Sequence, residues 1–246
     1  MKISVIPIKL NREVKKGEDL VDKILSSKSY LGFLDNDIVV FTQKIISKQE
    51  GQVIDLSKIK PGILATGIAS AYEKDPRIIQ IILNETKRII RIKNGIIISQ
   101  TKHGFICANA GVDESNIADG FASVLPKNPQ RSATKLRHEI KKKTGKDVAV
   151  IISDTFGRPF REGQTDVAIG YSGIEPILDY AGTRDSFGKK LRITAIAIVD
   201  EICSASELVR GKATHIPISI VRNYRFNNTE RKLSDLLRHE SLDLFR

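Results

Sequence analysis

One segment constrains this chain more than any other: residues 151–170, IISDTFGRPFREGQTDVAIG. An apolar run ends in Ser153, Asp154 and Thr155. Gly157 and Gly163 follow, interleaved with Arg158 and Arg161, and a second apolar run then begins. The order calls for a buried strand that delivers a carboxylate and a hydroxyl to a polar loop before the chain returns to the core. Oxygen ligands of this kind hold hard cations such as Mg²⁺. Guanidinium forks grip phosphate or carboxylate, and glycine lets backbone amides approach an anion. The same residues also describe a strand, an acidic turn and a solvated loop.

The 246 residues fit one large domain or two small ones, and a hydrophobic fraction of 41% is enough for a core. No run reaches the roughly 18 to 20 apolar residues of a membrane helix. The opening MKISVIPIKL is broken too soon by Pro7 to read as a secretion signal. A soluble, cytoplasmic protein is expected. Cys107 and Cys203 lie far apart, with neither zinc spacing nor a disulfide framework, and read as small buried residues. The formal net charge of +11 favours anionic partners such as nucleotides, polycarboxylates or nucleic acid. Its aromatic residues are few and do not alternate with basic ones, which argues against a stacking platform for single strands. Nucleic acid and membrane are therefore not expected partners.

Strand and helix signals alternate irregularly, as in a mixed α+β protein rather than a regular βαβ array. Residues 17–26 read as a short helix and 37–42 as a buried strand. Residues 43–49 read as a helix carrying Lys44 and Lys48 four apart on one face. Asp75-Pro76 is a cap followed by a first-turn proline, opening a helix to about Lys87. Asn94-Gly95 predicts a hairpin between 88–92 and 95–99. Ser132 is expected to cap a helix ending near Thr144-Gly145, followed by a strand over 147–152. Further on, 192–199 and 216–221 read as strands and 200–210 as a helix. Thr229 is expected to cap a C-terminal helix with Leu233, Leu236 and Leu237 inward.

Two further segments could carry chemistry. In 103–116, HGFICANAGVDESN, a polar cluster of Asn109, Asp113, Ser115 and Asn116 surrounds Gly111. Asp113 could join Asp154 on a hard metal and Asn116 could bond a ligand; an Asx turn capping a helix accounts for the same residues. Asp200-Glu201 open a helix ending Leu208-Val209-Arg210-Gly211-Lys212, where first-turn carboxylates are ordinary dipole partners. The chain contains neither G-x-x-x-x-G-K-[ST] nor G-x-G-x-x-G, so a nucleotide site here is neither P-loop nor Rossmann. Nor is there a G-x-S-x-G nucleophile elbow, and the four histidines lack metal-binding spacing.

Taken in order, FTQKIISKQEG, HGFICANAGVDESN, ISDTFGRPFREGQTDVAIG and DEICSASELVRGK resemble the coenzyme F-420:L-glutamate ligase family. The resemblance runs from about Lys9 to Arg222. It implies a mixed α+β fold particular to that family, with a mixed sheet, flanking helices and an intertwined homodimer. It implies one catalytic domain over 1–246, without the C-terminal reductase extension of some bacterial relatives. The implied activity is GTP-dependent ligation of L-glutamate, first one residue and then a γ-linked one, to a deazaflavin precursor. Two divalent ions, Mg²⁺ or Mn²⁺, and K⁺ would assist.

Carried across, Asp113 and Asp154 match the first-metal carboxylates, and Thr155 and Gly211 match second-metal contacts. Asn116, Lys48 and the pair Thr42-Gln43 match GTP contacts. So does the later loop Val209, Arg210, Gly211, Lys212, Ala213, Thr214, His215 and Ile216. The early nucleotide segment falls on Asn11, Arg12, Glu13 and Val14, where the family's glycine-leucine-proline is replaced. Arg158 and Arg161 are candidates for holding the γ-phosphate or a substrate carboxylate. Two other functions fit parts of the pattern: a metal-dependent nucleotide phosphohydrolase using the same site, and a basic nucleic-acid binder, which would bind with steep salt dependence.

Overall fold

The structure, a computed structural model, describes residues 2–211 and 214–243. In chain order its elements are β1 (Ser4–Ile8), α1 (Leu20–Leu25), β2 (Ile38–Thr42), α2 (Gln43–Glu50), β3 (Val53–Asp55), α3 (Ile63–Tyr72), α4 (Pro76–Glu85), β4 (Thr86–Lys93), β5 (Ile96–Thr101) and β6 (Ile106–Ala108). They continue with β7 (Phe121–Ser123), α5 (Pro129–Thr144), β8 (Ala149–Arg158), β9 (Arg161–Ser172), β10 (Leu178–Asp179), β11 (Ala195–Ile196), α6 (Ile198–Arg210) and β12 (Ile218–Arg222). The main sheet runs β1-β12-β2-β8-β9. Only β2 and β8 in it are parallel, with Thr42 opposite Ser153.

The central strands are apolar on both faces because both faces are covered. Val39, Phe41, Val150 and Ile152 pack with Leu20 and Ile24 of α1, Ile46 of α2 and Leu136 and Ile140 of α5. Their neighbours Ile38, Val40, Ala149 and Ile151 turn the other way, onto Ile198, Val199, Ile202 and Cys203 of α6. The two-residue period of a strand thus divides one apolar run between two cores. A smaller layer stands beside this sandwich: the antiparallel sheet β4-β5-β6 over α3 and α4, with Ile79, Ile82 and Ile97 inside it. The expected mixed α+β architecture is what forms, and among the described residues no helix is long and apolar enough to cross a membrane.

Several local signals act as expected. Asp75 caps α4 by accepting from the Arg77 amide at 2.8 Å. Asn94 and Gly95 adopt φ of 51° and 72° in the β4–β5 turn, as a type I′ turn requires. Cys107 and Cys203 are both buried.

Others do not. Helix α1 covers less than 17–26, because Asp19 rather than an earlier residue caps it. Asn128, not Ser132, caps α5, with Pro129 in its first turn; the Ser132 hydroxyl instead donates to the Asn128 carbonyl at 3.0 Å. Of the strand expected over 192–199 only Ala195–Ile196 pairs, and α6 starts already at Ile198. Among the described residues no α-helix follows Thr229, whose hydroxyl bonds Glu175 at 3.0 Å. Leu233, Leu236 and Leu237 do turn inward against the two cores, but from a 3₁₀ turn at Leu233–Asp235. The arginine- and glycine-rich stretch after Asp154 is not an open loop. Strand β8 continues through it and β9 returns alongside, with Thr155 opposite Asp166 and Arg158 opposite Arg161. Pairing satisfies the backbone groups that an open loop would leave to water.

Candidate active site

The carboxyl end of β2 lies beside Ser153, midway along its parallel partner β8, and the carboxyl ends of parallel strands are where open α/β sheets commonly bind ligands. Strand β2 runs straight into α2, and Thr42 caps that helix without a side-chain hydrogen bond. The first-turn amides of α2 are thereby left to attract negative charge. Next to them β8 carries Asp154 one residue beyond the Thr42–Ser153 pair.

Lys44, in the first turn of α2, is the hub. Its ammonium donates to the Asp113 carboxylate, to the Ser115 carbonyl at 2.6 Å and to the Ser115 hydroxyl at 2.8 Å. The Ser115 amide closes an Asx turn on Asp113 at 2.7 Å. Burial pushes the Asp113 pKa up, but the hydrogen bonds from Lys44 and Ser115 outweigh it and hold the group below the usual carboxylate range. Asp154 goes the other way. It is half-buried, with its carboxyl set among protein atoms, and desolvation raises its pKa to about 7; the Thr155 amide and Lys44 lower it, while Asp166 and Asp113 raise it further. The two aspartates, distant in sequence, therefore stand close enough to feel each other's charge. Burial, and then the charge of Asp154, push the Cys107 thiol beside them up to about 12, which marks it as an inert neighbour.

One turn further along α2, Lys48 donates to Glu13 and to the Asn116 carbonyl at 2.9 Å. Hydrogen bonding from Lys48 is the main cause of a lowered Glu13 pKa, and His215 also contributes. The early segment and the 113–116 turn are thus gathered on the Lys44–Lys48 face of one short helix, with His215 near enough for Glu13 to feel its charge. Asn116 and His215 both adopt left-handed backbone, φ 54° and 58°, as do Asn109 and the buried Ala110 just upstream. Such backbone costs free energy in non-glycine residues and clusters at functional sites.

The other predicted residues divide. Gln43 is buried and bonds Ser47 at 2.6 Å and the Val124 carbonyl at 3.2 Å, tying α2 to the segment after β7. Asn11 bonds the Ser26 carbonyl at 3.0 Å, Val14 is buried in the core, and Arg12 is exposed. Val209 and Ile216 are half-buried, and the Thr214 hydroxyl folds back on the Arg210 carbonyl. Gly211, at φ 60° and ψ 177°, occupies a region essentially closed to other residues. Lys212 and Ala213 lie outside the described residues. Arg158 and Arg161 stand at the exposed end of the β8–β9 hairpin, four and seven residues past Asp154 in sequence. Arg158 curls onto the Glu162 carbonyl of its own hairpin. At about 3.3 Å per residue, Arg158 lies roughly 13 Å along the strand from Asp154, so the arginines flank the cluster rather than enter it.

Asp154 and Thr155, adjacent in a strand, point to opposite faces. Thr155 faces α6, where its hydroxyl donates to Asp166 at 2.6 Å. Asp166 also receives Arg210, at 2.6 Å, and the Ser153 hydroxyl, at 3.2 Å. Lys44 as the hub and Asp166 as a buried partner of Thr155 were not evident from the sequence as site residues. The signals were present: a second lysine four residues before Lys48, and an acid set in an apolar strand, where a charge demands a partner.

Among the described residues no three His, Cys, Asp or Glu side chains group to hold an ion unaided. The Asp113 and Asp154 carboxylates nonetheless fit Mg²⁺ or Mn²⁺ delivered with phosphate, since such ions take one or two protein carboxylates and complete their shell from phosphate and water.

Charged side chains from four separate segments, converging at the ends of a parallel strand pair, are the layout of an enzyme of the α+β class. Comparison with known proteins agrees. Residues 8–223 match the F420-0:gamma-glutamyl ligase family, and the chain belongs to that family. Similar proteins include the coenzyme F420:L-glutamate ligase of Methanothermobacter thermautotrophicus, 43% identical with all of both chains covered. That of Methanocaldococcus jannaschii is 49% identical over 86% of this chain and 85% of its own. That of Methanopyrus kandleri is 41% identical over 99% and 98%.

Proposed function

We propose that this protein joins L-glutamate to the deazaflavin precursor F420-0 at the expense of GTP, adding a first residue and then a γ-linked one. Family membership supports the ligation, and the Lys44–Asp113 pair, within reach of the charge of Asp154, supports the nucleotide chemistry. A carboxylate does not condense with an amine at neutral pH. Transfer of the γ-phosphoryl group to the precursor's terminal carboxylate breaks the bond to the β-phosphate and makes an acyl phosphate. The glutamate α-amino group then attacks the acyl carbon and phosphate leaves.

Two anions must meet in the first step. Bound Mg²⁺ or Mn²⁺ would neutralise phosphate charge, with Asp113 and Asp154 holding one ion, Thr155 and Gly211 the other, and K⁺ accompanying them. The protein's own share is positioning. The first-turn amides of α2 and the Lys44 and Lys48 ammonium groups face the phosphates, and the left-handed turns at Asn116 and His215 bring backbone groups to the nucleotide. Thr42, Gln43, Glu13 and the loop through Ile216 shape its walls. Incubating the protein with precursor, glutamate, Mn²⁺ and either GTP or ATP, then reading product masses, tests this. GTP loss that needs neither precursor nor glutamate would instead make the protein a phosphohydrolase.

Arg158 and Arg161 act at the rim, receiving the substrate's anionic tail. Replacing Arg161 with Ala removes one charge-assisted hydrogen bond of about 1.5 kcal/mol, and should raise KM for the precursor roughly tenfold. Its kcat and melting temperature should stay close to wild type. A lowered melting temperature with unchanged KM would make the arginine structural.

Helix α3 buries only Ala65 and Ala69 while Ile63 and Leu64 stay exposed. Such uncovered apolar surface supports a homodimer, which light scattering would reveal. The protein is proposed to work in the cytoplasm.

A further inference from the structure

Lys44 stands in the first turn of α2 with a half-buried side chain, 18% exposed. An ammonium has three protons to donate and no acceptor. Here all three go to oxygens of one turn: the Asp113 carboxylate, the Ser115 carbonyl at 2.6 Å and the Ser115 hydroxyl at 2.8 Å. A carboxylate, a carbonyl and a hydroxyl around one positive centre are also the kind of oxygen set that holds a hard metal ion.

The turn keeps that set together. The Ser115 amide donates to Asp113 Oδ1 at 2.7 Å, and the Ser115 hydroxyl, while accepting from Lys44, donates to Oδ2 at 2.8 Å. Lys44 and Ser115 thus share the two lone pairs of Oδ2. The charge of Lys44 also reaches Asp154, so one ammonium faces both carboxylates assigned to the first ion. A divalent ion and an ammonium repel each other at a shared carboxylate, and an ion that takes Asp113 displaces Lys44. The displaced ammonium then needs another anion, because a half-buried cation without a partner is costly. Phosphates at the first-turn amides of α2 supply one, and the flexible four-carbon stem of Lys44 starts in that same turn.

We propose that Lys44 is a place-holding cation: it occupies the Asp113–Ser115 turn until a divalent ion arrives with the nucleotide, then yields the turn to the ion and pairs with phosphate. This rests on the ligase assignment above and adds a coupling to it. Ion and nucleotide bind together because phosphate receives the lysine that the ion expels. Such coupling is reciprocal, so the ion raises nucleotide affinity by the same factor.

The experiment is Mn²⁺ titration of the full chain with and without GTP, by calorimetry or Mn²⁺ electron paramagnetic resonance, alongside melting curves in EDTA. Lys44→Met keeps the length of the stem and removes the charge. Without nucleotide it should bind Mn²⁺ about tenfold tighter than wild type, because one charge-assisted hydrogen bond no longer competes for Asp113. With GTP the order should reverse, since the variant has no ammonium to offer phosphate. Lys44→Arg keeps the charge and should bind Mn²⁺ alone no tighter than wild type.

A lysine that merely braces the turn would lower the melting temperature on replacement and would not produce this crossing. Should Lys44→Met fail to fold, Lys44→Gln keeps a neutral donor for Asp113 and carries the same titration. Wild-type protein that binds Mn²⁺ with GTP, while the uncharged variants bind Mn²⁺ alone no tighter, would overturn this proposal and leave the ligase assignment standing. Wild-type protein that binds Mn²⁺ in neither condition would overturn the metal-assisted ligase assignment and this proposal with it.

Discussion

Asp154→Asn should lose metal-dependent glutamate ligation by roughly 10³-fold, the effect of several kcal/mol of transition-state stabilisation, and yet melt at a higher temperature than wild type in metal-free buffer at pH 8. Both outcomes follow from one placement. The carboxylate is recessed within reach of the charges of Asp113 and, from the other face of the strand, Asp166, and burial is the main reason it titrates at about 7. An unfolded aspartate titrates near 3.9. Between the two values the folded chain holds a proton that the unfolded chain has released. Stability therefore falls as pH rises through that window, and levels above about 7. Asparagine carries no charge to desolvate. The gain in melting temperature over wild type, measured in EDTA, should accordingly be small at pH 5 and largest at pH 8. A gain that does not change with pH would show that Asp154 is well solvated; full ligase activity would remove it from the metal site.

Gly170→Val should cost about 3 kcal/mol, at the upper end for a side chain forced into a packed interior. For a chain of this size that lowers the melting point on the order of 10 °C. A Cβ built on Gly170 would lie 2.5 Å from the carbonyl carbon and oxygen of Pro129 and 2.9 Å from the Gln130 nitrogen. These are backbone atoms in the first turn of α5, which cannot rotate away as a side chain could. The helix would have to lift from β9. Ser132 of that helix and the Lys127 amide before it both bond Glu50, at the end of α2. Displacing α5 should therefore also disturb Lys48, and KM for GTP should rise along with the loss of stability. A variant melting within about 2 °C of wild type would show that α5 can slide.

Legibility in the sequence followed the range of the forces involved. Asp75-Pro76 and Asn94-Gly95 read true because a cap bond and a left-handed turn involve neighbours in the chain. Ser132 misled because Asn128-Pro129, the same cap-and-proline signal as Asp75-Pro76, opens the helix four residues earlier. The segment after Thr229 has helical spacing, but its leucines are held by two cores at once, and a short 3₁₀ turn reaches both. Likewise the glycines and arginines after Asp154 suggested a loop, and only the partner residues 164–166 make them a strand.

By itself the sequence determined the α+β class, the buried central strands and the resemblance of its motifs to one ligase family, because residue type and local spacing carry that information. Only the tertiary structure decided that Asp113 pairs with Lys44 within reach of the charge of Asp154, that Thr155 turns to Asp166 on the opposite face, and that Arg158 and Arg161 stand at the exposed hairpin end. Those outcomes depend on which buried charges find partners once distant segments pack. Desolvation and pairing are properties of the folded surroundings, which no window along the chain contains.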